Sequence, residues 1–224
     1  MFTYLKNSFA RKIARRFTKE YPPIIDHLNM NQYGEIDFAN WSSPLAPKIT
    51  LNEATVSFFN QFIKAGDLAI DIGANIGDTT VPMALCTGMT GITIGFDPNP
   101  YVFKILETNA NLNKDKYVIH PHRCAISSTP QSFYYISSEA SFGNGAISET
   151  RESKHGKFVF DGMVEGIHLK TFLETKYASM IQKLSFIKID TEGYDKEIIK
   201  SISDLIQAYK PVIVAESFGK ASEA

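Results

Sequence analysis

Residues 69–80 read AIDIGANIGDTT, an apolar run that closes on an aspartate and a glycine turn and then opens into a helix-like stretch. Two readings of it start even. A strand-to-helix turn needs glycine for its backbone conformation, and an aspartate can cap a helix. The same residues also serve a ligand that lies against the backbone, as at the first βα turn of nucleotide-binding sheets. The neighbouring elements decide between them.

Working outward, Asn52 reads as the cap of a helix with Val56, Phe59, Phe62 and Ile63 on one face and Gly66 as its terminator. Beyond the glycine turn comes a helix from Thr79 to Thr87, with Pro82 tolerable in its first turn. GITIGFD is a second strand ending at Asp97, and PNPYVFKILETNANLN a helix capped by Asn99, with Val102, Ile105 and Leu106 inward. A third strand is expected over 117–126. The alternation then breaks. QSFYYIS and EGIHLKTFL are strand-like and flank a glycine- and serine-rich loop over 138–156. LSFIKID restores a buried strand. Ile198, Ile199, Ile202, Leu205, Ile206 and Tyr209 follow as the stripe of a helix, and PVIVAE is the last strand. Strands alternating with helices predict an α/β fold with a mainly parallel sheet in the order 3-2-1-4-5. Helices cover both faces, and ligands bind at the carboxyl ends of the strands.

The chain has 224 residues, enough for one substantial α/β domain. A net charge of −1 makes no case for a nucleic-acid partner, and two cysteines, Cys86 and Cys124, fit a reducing, cytoplasmic setting better than a disulfide framework. No run approaches the length of a membrane span. The charge is uneven, however. Residues 1–19 hold Lys6, Arg11, Lys12, Arg15, Arg16 and Lys19 and no acid, leaving 17 basic residues against all 24 acids in the body. Phe2, Leu5, Phe9, Ile13 and Phe17 form one helical stripe in this arm. The favoured reading packs that stripe on the domain; the other lays it on an anionic membrane, a weak peripheral contact. Residues 1–50 are thus expected to be a basic amphipathic arm and an irregular leader, and 51–224 the domain proper.

Carboxylates fall at three strand ends: Asp71, Asp97, and Asp190 with Glu192. A phosphate ligand would want few carboxylates near it and a lysine, and neither GxxxxGK[ST] nor the strict GxGxxG occurs. S-adenosylmethionine suits the pattern better. Its ribose wants a bidentate acceptor, its ammonium and sulfonium welcome acids, and it has no phosphate. Asp97, 20 residues beyond Gly77, is placed to hold a ribose diol in a dinucleotide and in S-adenosylmethionine alike.

DLAIDIGANIGDTT, IGFDPNPYVFKILETNANLN and LSFIKIDTEGYDKEIIKSI resemble successive motifs of the FkbM family of S-adenosylmethionine-dependent methyltransferases, from about Tyr33 to Glu216. The resemblance implies a class I methyltransferase fold and O-methylation of a sugar or another small hydroxylated acceptor. It implies that Asp71, Gly73, Asn75 and Gly77 line the methionine end of the cofactor, that Asp97 holds the ribose, and that Cys124 and Ala125 lie by the adenine. Asp190 and Glu192 would face the acceptor, one of them taking its proton. The chain departs from the family pattern at Phe172, where members often carry aspartate. Only eight residues follow Glu216, too few for the antiparallel hairpin that usually continues the sheet, so PVIVAE is expected to be an open edge that pairs with a second copy or orders poorly.

Other features carry less. His155 in the long loop is a second candidate base, and the loop reads as a lid over the acceptor. His27, His120, His122 and His168 have no metal-ligand spacing, and no metal is expected. Two rival functions stay open: a non-catalytic domain of the same fold that binds a partner or membrane, and an NAD-dependent dehydrogenase.

Overall fold

A computed structural model describes residues 2–152, 156–191 and 194–215, with side chains from Lys6 onward. His155, Glu192 and Glu216 lie outside the described residues, as do the side chains of Phe2 and Leu5.

The chain opens with helix α1 (Phe2–Arg16), followed by strands β1 (Pro23–Met30) and β2 (Gly34–Trp41). The segment expected to be an irregular leader is instead a regular antiparallel hairpin, paired from Pro23↔Trp41 to Met30↔Gly34. Its inward side chains, Ile36 and Phe38, are fully buried. Next come α2 (Glu53–Phe59), β3 (Leu68–Ile72), α3 (Thr80–Thr87), β4 (Ile92–Phe96) and α4 (Val102–Asn111). Asn52 caps α2 as expected, accepting a hydrogen bond from the Thr55 amide. Two asparagines bind the hairpin to α4 and its end. Asn109 accepts from the Ala39 amide at 2.7 Å and Asn113 from the Asp37 amide at 2.9 Å.

The stretch expected as one strand over 117–126 divides. Ile119–His122 is β5 of the main sheet, and Ala125–Ile126 is β6 of a second sheet. β7 (Gln131–Ser137), β8 (Gly145–Ser148) and β9 (Phe158–Ile167) complete that second sheet, in the order β6-β9-β7-β8. EGIHLKTFL is not a single strand. β9 stops at Ile167, His168 accepts a hydrogen bond from the Thr171 amide, and α5 (Leu169–Lys176) begins there. Leu169, Phe172 and Leu173 sit at helical spacing against the core, which overrides the strand-like composition.

β10 (Leu184–Ile189), α6 (Asp195–Ser201), α7 (Ser203–Tyr209) and β11 (Val212–Ala215) close the chain. The helix read as continuous past Ile198 is broken at Ile202, although Ile198, Ile202 and Leu205 all stay buried. The main sheet is parallel in the order β11-β10-β3-β4-β5, the predicted 3-2-1-4-5. Strand alternation divides the core. Ala69 and Phe186 face α2 and α3, whereas Leu68, Ile70, Ile72 and Ile187 face α5, α6 and α7. β11 is the end strand of the sheet, with Val212 and Val214 exposed.

Candidate active site

The side of β3 that carries Ala69 also carries Asp71, and the register sets Lys188 of β10 directly opposite. Asp71 is completely buried. Its Oδ2 accepts hydrogen bonds from the hydroxyls of Thr79 and Thr80, both at 2.7 Å. Its Oδ1 has no hydrogen bond but faces Lys188 Nζ at 3.3 Å, and the same ammonium lies 3.3 Å from Asp190 Oδ2. Burial works against the charge on Lys188, yet Asp71, Asp190 and Asp78 together outweigh it and hold the ammonium pKa above its ordinary value. Asp78 moves upward too, through burial first and the Asp71 charge second.

The glycine turn folds back over this seam. Gly73 has φ +81°, and a Cβ there would overlap the backbone carbonyl of Asp190. That glycine is therefore needed for the close approach of two strand ends. Asn75, also at positive φ, donates its amide to Asp97 Oδ2 at 2.7 Å, and the Asn99 amide donates to Asp97 Oδ1 at 2.8 Å. Burial outweighs these bonds and pushes the Asp97 pKa up to about 6. A buried carboxylate in that condition gains from any further hydrogen-bond donor.

These strand ends enclose a cavity. Of the residues singled out in the sequence, Gly73, Asn75, Asp97, Cys124, Ala125 and Asp190 line it together. Asp71 and Gly77 do not. Asp71 stands behind the wall, holding Thr79, Thr80 and Lys188; Gly77, at φ +97°, brings the start of α3 against Leu106. Part of the lining is apolar, at Ile72, Phe96, Ala125 and Ile126, and part is charged, at Asp78, Asp97, Lys188 and Asp190. Such a lining offers apolar contact to a planar heterocycle and carboxylates to a diol and a cationic group.

The first half of the loop expected to act as a lid packs against the domain and forms a wall of the cavity. Ala140, Ser141 and Phe142 are buried; Asn99 donates to the Phe142 carbonyl at 2.6 Å, and Tyr101 stacks on the Phe142 ring. Gly143–Ile147 then line the cavity. His120 and His122 stand elsewhere, both hydrogen-bonded to the Tyr177 hydroxyl, and burial lowers both pKa values, that of His122 to about 4. Phe172 packs edge-on against Phe96 and His122. Among the described residues no group of His, Cys, Asp and Glu could hold a metal ion.

Lys188 and Asp78 were not singled out in the sequence. A charged residue inside the apolar run LSFIKID was the available signal, since lysines are almost never fully buried unless paired.

Comparison with known proteins adds the family. No curated protein matches the chain. Among solved structures it is similar to Pyrococcus horikoshii TYW2 in complex with MeSAdo, at 21% identity and a TM-score of 0.35, over 45% of this chain and 36% of that one. It is also similar to the Pyrococcus abyssi tRNA (uracil-54, C5)-methyltransferase in complex with S-adenosyl-L-homocysteine, at 13% identity and a TM-score of 0.42, over 85% of this chain and 34% of that one. The chain spans about a third of the length of these structures. The family model described as the methyltransferase FkbM domain matches residues 71–223, which run from the buried aspartate of β3 to the last residues of the chain. With two thirds of its length matched, the chain belongs to the FkbM methyltransferase domain family, whose methyl donor is S-adenosylmethionine.

Proposed function

We propose that the chain transfers a methyl group from S-adenosylmethionine to an oxygen of a small hydroxylated, carbohydrate-like acceptor. The observation that carries this reading is the single lining that joins Gly73, Asn75, Asp97, Cys124, Ala125 and Asp190 at the ends of β3, β4, β10 and the β5–β6 segment. The adenine lies against the apolar part of the lining beside Cys124 and Ala125. The ribose diol donates to Asp97, supplying the donors that its buried carboxylate favours. The methionine end lies along Gly73 and Asn75, its cationic groups toward the carboxylate of Asp190; Asp71 acts through Lys188, Thr79 and Thr80, and Gly77 through the turn. The acceptor hydroxyl comes in at the charged part of the lining, where Asp78 and Asp190 stand and where Glu192 is the further carboxylate expected, and methyl transfer then depends chiefly on alignment and exclusion of water. The domain proper, 51–224, supplies the methyl-donor site.

Titration calorimetry with S-adenosylhomocysteine and, separately, with NAD tests the reading. It expects binding of the first alone. Binding of NAD alone overturns it in favour of a dehydrogenase, and cofactor binding with no transfer across a panel of sugars and polyols favours a non-catalytic domain.

A second reading concerns α1. Phe9 and Phe17 are about two-thirds exposed, and Ile13 is exposed as well, while Ala14 is the buried contact of the helix. The described part of the stripe expected to pack on the domain, Phe9, Ile13 and Phe17, therefore faces outward, flanked by Lys12 and Arg16. We infer a weak, salt-sensitive contact of this face with an anionic membrane surface on the cytoplasmic side. No described helix is long and apolar enough to cross a membrane. The open edge of β11 is the proposed site of pairing with a second copy.

A further inference from the structure

A second cavity, of about 390 Å³, adjoins the first and shares Asn75, Asp78, Gly143 and Asn144 with it. Its lining adds apolar residues, Trp41 with Leu45, Ala46, Pro47, Ile49 and Ile76, the two guanidiniums of Arg11 and Arg15 of α1, and the Glu139 carboxylate. These arginines stand one helical turn apart, on the side of α1 opposite Phe9 and Ile13. The Ala140 amide donates to the Arg15 carbonyl at 3.2 Å, so α1 is tied to the wall loop that the two cavities share. Arg15 Nε has one carboxylate near it, Glu139 at 3.9 Å; Arg11 has no ion pair among the described residues. Gly143 packs closely there: a Cβ on it would stand 3.2 Å from Glu139 Oε1 and 3.4 Å from the Trp41 ring.

We propose that this second cavity is the acceptor site and that it takes a hydroxylated compound bearing an anionic oxygen group, a phosphorylated or carboxylated sugar-like molecule. This rests on the reading of the first cavity as the methyl-donor site. The anion lies between the two guanidiniums, where planar forks match phosphate and carboxylate oxygens. The apolar face of the molecule lies on Trp41, and its hydroxyl reaches Asp78, where the cavities meet. In the transfer, a lone pair of the hydroxyl oxygen forms the new bond to the methyl carbon. The carbon–sulfur bond breaks to leave the thioether of S-adenosylhomocysteine, and the hydroxyl proton passes to the Asp78 carboxylate. Burial makes Asp78 a stronger base than an exposed carboxylate, as the role requires.

Trp41 is the single tryptophan of the chain and lines this cavity, so its fluorescence is the local probe. The test titrates the chain, loaded with S-adenosylhomocysteine, with glucose 1-phosphate, glucuronate, neutral glucose, or vesicles containing phosphatidylglycerol. A saturable response to the two soluble anions, absent with glucose and about tenfold or more weaker in Arg11→Gln/Arg15→Gln, is expected, since each charged hydrogen bond contributes about 1.5–3 kcal/mol. The responding probe then serves as methyl acceptor, with Asp78→Asn expected to keep the fluorescence response and lose most of the transfer; unchanged transfer removes Asp78 from the role. No response to either soluble anion, an equal response to glucose, or a response to the vesicles alone overturns the site. Calorimetry with S-adenosylhomocysteine on the double variant separates the two readings: the donor site stands if that binding is unchanged, whatever the acceptor probes show.

Discussion

The two adjoining cavities are built in opposite ways. The first is assembled largely from βα units, and its hydrogen bonds around Asp71 and Asp97 join residues near in sequence, although Lys188 and Asp190 close it from 117 residues away. The Asn75 amide meets Asp97 at a separation of 22 residues, and Asp71 meets Thr79 and Thr80 at 8 and 9. The second brings together α1, the end of β2 with the segment after it, and the loop after β7, segments far apart in the chain. A site of the first kind is written into short motifs. A site of the second kind exists only once tertiary packing has placed α1 against the loop, so no local pattern announces it.

The comparison can be broken most forcefully at the charged seam behind the first cavity. Lys188→Met leaves Asp71 completely buried without its ammonium, and the loss of one partner of a buried pair destabilises by about 3–5 kcal/mol. Thermal unfolding is the check. Adding Asp71→Asn should recover much of the loss, and a Lys188→Met protein as stable as the wild type would show that the seam does not hold the strand ends together.

Gly73→Ala comes next. The new methyl meets the Asp190 carbonyl, in a conformation with φ +81° that alanine disfavours, for an expected loss of about 2–4 kcal/mol. Denaturant titration measures it. An unchanged midpoint would mean that the two strand ends can separate freely, and the glycine would then answer to the ligand alone.

The smallest effect is expected at the outer face of α1, away from both cavities. Phe9→Ser with Phe17→Ser should weaken co-sedimentation with anionic vesicles by about 1–2 kcal/mol, and raised salt should weaken the wild type as well. Binding that ignores both changes would place the contact elsewhere on the molecule.

The parallel sheet, its strand order and the clustering of carboxylates at strand ends were legible because alternation of strand and helix and the position of Asp71, Asp97 and Asp190 are local facts. The role of Gly73 was half legible. Its need for a glycine conformation shows in the sequence, but the Asp190 carbonyl that fills the space lies 117 residues away. EGIHLKTFL misled because its β-prone residues fold under the control of a side chain: His168 receives the Thr171 amide and starts a helix. The β1–β2 hairpin was hidden by prolines, and its order comes from Asn109 and Asn113 across the fold. Lys188 was concealed in an apolar strand, and only the register with β3 shows that it answers Asp71.

The central claim is that the first cavity holds S-adenosylmethionine with its ribose on Asp97, and affinity for S-adenosylhomocysteine as a function of pH tests it most directly. Because the free carboxylate has its pKa pushed up to about 6 and the diol donates to the ionised form, wild-type affinity should hold at neutral pH and fall as the pH drops through about 6. Asp97→Ala should bind about ten- to hundredfold more weakly at pH 7, the value of a hydrogen bond to a charged group, and should lose that pH dependence. A folded Asp97→Ala protein with wild-type affinity, or a wild type whose affinity is flat from pH 7 to 5, would contradict the account.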